Sequence, residues 1–166
     1  MDYLTSTVLI GAGATAATDG WAVLRRRLFG VAPPNWGLVG RWVAHMPRGR
    51  FRHASIAGAP AVPGEAWIGW SAHYAIGIGF AAVLLALGGR EWIQAPTAGP
   101  ALLFGLGTVL APFLVMQPGM GAGFAASRTP RPAAARLQSL LTHLVFGLGL
   151  YAAGWLNNSL NPWSMS

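Results

Sequence analysis

Residues 67–88 read WIGWSAHYAIGIGFAAVLLALG, a run of twenty-two residues with no Asp, Glu, Lys or Arg. A helix of that length is about 33 Å long, enough to cross roughly 30 Å of hydrocarbon. Three similar runs lie on either side of it. The first runs from about Leu4 to Leu24 and is interrupted only by Asp19. The third covers about Gly99 to Phe124 and holds Pro112, Gln117 and Pro118; the fourth covers about Leu137 to Leu156, with His143 inside it. The opening Met1-Asp2-Tyr3 is acidic where a secretory signal would be basic, so the first run reads as a span and not as a cleaved leader. No alternating strand pattern appears. The expectation is an all-α polytopic membrane bundle of four transmembrane helices, one membrane domain over residues 1–166.

Composition agrees. The chain is 54% hydrophobic and 9% charged, with a mean hydropathy of +0.47. Soluble domains carry about 25% charged residues because water faces them on every side. The net charge of +7 comes from eleven arginines and no lysine. A basic soluble protein would suggest nucleic acid, but these arginines punctuate apolar runs, so anionic lipid headgroups are the counter-charge and nucleic acid is not a partner. With no cysteine, disulfides, thiolate metal sites and thiol nucleophiles are excluded.

The arginines also set an orientation. Arg25, Arg26, Arg27, Arg41, Arg48, Arg50 and Arg52 fall between spans one and two, and Arg128, Arg131 and Arg136 between spans three and four. Only Arg90 falls on the other side. The positive-inside rule then puts both termini in the periplasm of a bacterium and the protein in its cytoplasmic (inner) membrane. Trp67, Trp92, Trp155 and Trp163 fall near the expected interfaces, where an indole keeps its ring in lipid and its N–H wet.

The cytoplasmic segment, about residues 25–66, is long and half apolar. Pro33-Pro34-Asn35 reads as a helix start, and Trp36, Val39, Val43 and Met46 recur at helical spacing. This predicts a short amphipathic helix between spans one and two, lying in the membrane surface or packed on the mouth of the bundle. Arg48-Gly49-Arg50-Phe51-Arg52-His53 follows as a basic cluster. The lipid-phosphate ligands expected from this region are Arg25, Arg26, Arg27, Arg41, Arg48, Arg50 and Arg52.

Polar groups inside the spans need a reason, because an ionisable group there costs about 2.5–3.5 kcal/mol by insertion scales. Asp19, His73, Gln117 and His143 each lie about 9–10 Å inside the arginine-rich boundary of their span. Small residues at helical spacing (Gly11 and Thr15, Gly69 and Gly77, Gly121, Ser139 and Gly147) share their faces, as contact faces in lipid do. One inward polar layer is expected, with Glu65 and Ser71 nearby. Asp19, His73 and His143 would suit a divalent metal ion as a candidate cofactor. The same groups could relay protons, hold a haem between the two histidines, or form a plain hydrogen-bonded network. Pro112 and Pro118 remove two helical donors and predict a helix break, of the kind transporters use for ion sites and ordinary spans also tolerate.

Several segments together resemble an uncharacterised family of small bacterial inner-membrane proteins, the domain of unknown function numbered 2938. They include Leu24-Arg25-Arg26-Arg27-Leu28-Phe29-Gly30, His45-Met46-Pro47-Arg48-Gly49-Arg50-Phe51-Arg52-His53, Pro63-Gly64-Glu65, His73-Tyr74-Ala75-Ile76-Gly77, Ala126-Ser127-Arg128-Thr129-Pro130 and Thr142-His143-Leu144-Val145-Phe146-Gly147. The resemblance spans nearly the whole chain. It implies a membrane protein of one domain and supplies no activity.

The reading preferred from sequence is a non-enzymatic membrane protein whose polar layer binds or passes a small cation, a proton or a metal ion. The alternatives are an accessory or scaffolding subunit beside a larger membrane complex, or in a homo-oligomer, and a lipid-headgroup-modifying enzyme built on His45, His53 and the arginines.

Overall fold

Local chemistry sets where each helix begins and ends. The computed structural model describes residues 2–160. Asp2 caps α1 (Tyr3–Phe29) by accepting from the Thr5 N–H at 2.7 Å, and Gly30 ends it in the left-handed region at φ 63°. Asn35 caps α2 (Trp36–His45), accepting from the Leu38 N–H at 3.4 Å. The helix α3 (Glu65–Gln94) is interrupted at Gly89, whose φ of 65° ends the regular ladder just before Arg90.

The third apolar run is broken. After α4 (Ala98–Gly107), Pro112 has no N–H for the Thr108 carbonyl, and residues Pro112–Met116 widen into a π-helical turn that the Gln117 N–H closes onto the Pro112 carbonyl. The short α5 (Gln117–Met120) then stops at Gly121, φ 96°. The span read from sequence as reaching Phe124 therefore ends at Met120, and Phe124–Ala126 forms a separate 3-10 turn. The helix α6 (Pro132–Ser159) is the last element among the described residues. The described residues contain no strand, and four helical stretches are long and apolar enough to cross a membrane: Tyr3–Phe29, Glu65–Gln94, Ala98–Met120 and Pro132–Ser159.

Contacts divide the chain into two compact units. The first comprises Met1–Pro33, Tyr74–Thr108 and Leu141–Ser166. Its core includes Ile10, Ala14, Leu85, Trp92, Phe146 and Leu150. Small residues let backbones touch there: Gly11 lies against Ile78, Gly77 receives the Thr15 hydroxyl, and Gly105 faces Gly147. Lipid tails are as apolar as side chains, so close van der Waals packing of this kind holds helices together where hydrophobic drive cannot. Trp92 belongs to this core. Read from sequence as an interface anchor, it is only 5% exposed, packed against Gly88 and Gly154, and its indole N–H donates to the Thr97 carbonyl at 3.3 Å. Trp67 and Trp155 are exposed, and Trp163 lies outside the described residues.

The second unit comprises Pro34–His73 and Val109–Leu140. Here α2 crosses the first turns of α3 at two glycines. Gly40 sits against the Glu65 carbonyl and Gly69 against the Trp36 carbonyl. The indole of Trp42 covers Gly119 of α5 and donates to the Phe51 carbonyl at 2.9 Å. The His53 N–H donates to the Gly119 carbonyl at 2.9 Å, and Gly121 abuts the Ala54 carbonyl. The basic segment around Arg52 is thereby bound to the broken third span.

Candidate functional site

Each polar residue of the expected layer has its own protein partner. In the first unit, the Tyr74 hydroxyl donates to Asp19 Oδ2 at 2.9 Å. His143 Nδ1 lies 2.7 Å from the Thr108 hydroxyl oxygen, and that hydroxyl lies 2.5 Å from the Gly105 carbonyl. The Thr108 hydroxyl thus sits between the His143 ring and the Gly105 carbonyl. In the second unit, His73 stacks on Trp36, with ring centroids 3.8 Å apart, and Gln117 Nε2 reaches Ser139 Oγ only at 3.5 Å. Among the described residues, no group of three or more His, Asp or Glu side chains stands close enough to hold a metal ion. That departs from the metal set of Asp19, His73 and His143. Sequence reading named Trp36 only as part of the amphipathic helix and Tyr74 only within a family segment, and paired none of Tyr74, Thr108 and Trp36 with the polar layer, although a hydroxyl or indole inside or beside an apolar run is the signal that would find them.

Glu65 is committed elsewhere. It forms a two-pronged ion pair with Arg41, Nε to Oε2 and Nη2 to Oε1 both at 2.8 Å, and its Oε2 also accepts from the Val62 N–H at 3.1 Å. Arg41 Nη1 donates in addition to the Ala57 and Ala59 carbonyls at 3.2 and 3.0 Å. The Glu65 hydrogen bond holds the Arg41 guanidinium above its usual range. Arg41 is thus a clamp between α2, the loop that follows it and the start of α3, and not a free lipid-phosphate ligand. Arg25 is also withdrawn from the surface, 7% exposed, with its guanidinium 5.8 Å from the centre of the Trp21 ring. Arg26, Arg27, Arg48, Arg50 and Arg52 are exposed.

The second unit has an open cleft of about 420 Å³. Arg52, His53, Pro118, Phe124, Ser127 and Arg128 are among the residues that line it. No carboxylate is among the lining residues. Arg52 and Arg128 both border this concavity, and an anion bound there would offset the repulsion between two like charges. The loop that supplies Arg128 is strained. Ala125 and Ala126 adopt φ of 46° and 59°, the left-handed region that costs a residue with a Cβ roughly 1–2 kcal/mol. Three bonds hold it in place: Arg128 N–H to the Ala122 carbonyl at 2.8 Å, Ala122 N–H to the Gln117 carbonyl at 2.8 Å, and Arg136 Nε to the Ala125 carbonyl at 2.8 Å. Strain that the surroundings maintain clusters at binding sites.

Behind this wall His53 Nε2 lies 2.9 Å from Nδ1 of His45, which is only 3% exposed. Of the cleft, sequence reading named Arg52 as a lipid-phosphate ligand, His53 beside it, and Pro118 as part of a helix break. It did not join Arg52 to Arg128 and Ser127, which are far away in the chain.

No curated protein and no solved structure matches this chain. Residues 8–157 match the family model described as protein of unknown function (DUF2938), and the chain belongs to that family.

Proposed function

We propose that this protein is an integral membrane protein that captures the phosphate-bearing headgroup of an anionic lipid in the Arg52–Arg128 cleft. One observation carries this reading: arginines from two distant loops line a single concavity whose lining includes no carboxylate. Phe124, 56% exposed, gives the same cleft an apolar edge suited to the glycerol or acyl part of a lipid. The side on which ten of the eleven arginines gather is, by the positive-inside rule, the cytoplasmic side, where anionic lipid is available. The role is binding, with no chemical step assigned.

A proton or metal site in the polar layer has less behind it, because Asp19 and His143 are held by Tyr74 and Thr108. A scaffolding role would make no use of the cleft. The test is binding of short-chain phosphatidylglycerol to protein in neutral detergent, followed by tryptophan fluorescence. Replacing Arg52 or Arg128 by Gln weakens binding by about fivefold each, as expected for roughly 1 kcal/mol per arginine. Replacing Arg26 and Arg27, which are exposed on α1, does not. Unchanged binding in the Arg52→Gln, Arg128→Gln double variant would refute the reading.

A further inference from the structure

We infer that the His45–His53 pair is a proton-holding switch that sets the affinity of this cleft for its anion. The inference rests on the headgroup reading above and adds its regulation. The geometry is specific. A hydrogen bond between two imidazole nitrogens needs one proton between them, so the 2.9 Å contact exists when one ring donates and the other accepts. One further proton can enter on an outer nitrogen without breaking that bond. A second would put hydrogen on both facing nitrogens and force them apart. The pair therefore stores a single charge, shared between two rings, and its titration belongs to the pair.

The position of the pair gives that charge an effect. His53 lines the cleft, while His45 is buried behind it on α2. Nδ1 of His53 is buried and has no protein partner. The charged groups around the pair come from each neighbouring segment. Arg52 precedes His53 and lines the cleft with it, and Arg128 lines it from the 123–128 loop. Arg48 and Arg50, both exposed, lie between the two histidines in the chain, and the Arg50 N–H donates to the His45 carbonyl at 3.2 Å; Glu65 is paired with Arg41, and α5 contributes no charged residue. Arg52 and Arg128 oppose a proton on the pair until an anion occupies the cleft. An anion between the arginines and a proton on the pair thus favour each other.

The direction follows. Histidine changes charge between about pH 5 and 8, so the charge is present on the acid side and lost as pH rises, and anion affinity falls with it. Phosphatidylglycerol is the probe because its phosphodiester keeps one charge across this window, so any change comes from the protein. Wild-type protein in neutral detergent should bind short-chain phosphatidylglycerol about tenfold more tightly at about pH 5.5 than at about pH 8. His45→Gln should abolish the difference, as should His53→Gln, while His73→Gln retains it.

Equal wild-type affinity at both pH values, or a full pH response in His45→Gln, overturns the switch and leaves the headgroup reading standing. No wild-type binding at either pH overturns both. The wild-type arm needs no substitution, so a variant that fails to fold leaves the test intact.

Discussion

Gly40→Ala adds one methyl group where α2 crosses α3, and the structure gives it no room. The new Cβ would fall on the Glu65 carbonyl, with the Gly69 nitrogen and Glu65 carbonyl carbon as its next neighbours. All three atoms are backbone, so no side chain can rotate away and the two helices must separate. Overpacking of this kind costs about 1–3 kcal/mol. Alanine opposes that loss by favouring the helix over glycine by about 0.8–1.0 kcal/mol. Gly79 supplies the internal reference: it lies within α3, and a Cβ there meets nothing within 4 Å. Gly79→Ala should therefore be neutral or slightly stabilising, and, because the propensity gain is common to both, the two variants should differ by the overpacking cost of about 1–3 kcal/mol. Unfolding in mixed micelles, followed by far-ultraviolet circular dichroism, measures both. Gly40→Ala as stable as Gly79→Ala would mean that α2 does not lie against α3 as described.

Two further substitutions probe the first unit. Gly77→Ala places its methyl on the Thr15 hydroxyl and should destabilise by about 1–3 kcal/mol; adding Thr15→Ala should recover at least about 1 kcal/mol, a coupling that a double-mutant cycle measures directly. Purely additive losses would show that the two residues do not meet. Tyr74→Phe removes the hydroxyl that donates to Asp19 and should lower stability by about 0.6 kcal/mol, the average for a hydrogen bond in a membrane protein. Steric trap or denaturant titration resolves that loss, and a stabilised variant would contradict the pairing.

How much of this was legible beforehand varies by residue. The four apolar runs were plain because span length and hydropathy are properties of consecutive residues. The start of α2 was legible in Pro33-Pro34-Asn35, and Gly11, Thr15 and Gly77 were recognised as a contact face by their spacing. The end of the third span was misplaced by a few residues, because apolar composition continues past Gly121 while the backbone turns there. Glu65 looked like a member of the intramembrane layer because its partner, Arg41, lies in another segment.

The sequence alone determined that the chain carries four apolar runs long enough to cross a membrane, and that ten of its eleven arginines fall in the segments between runs one and two and between runs three and four. Those properties follow from local composition, which a helix reads out at a fixed rise per residue. Only the tertiary structure decided which arginine is a clamp and which is free, that Arg52 and Arg128 line one cleft, and that nitrogens of two histidine rings lie within hydrogen-bonding distance. Such pairings depend on close glycine contacts and on the break at Pro112, which bring together residues that no periodicity along the chain connects.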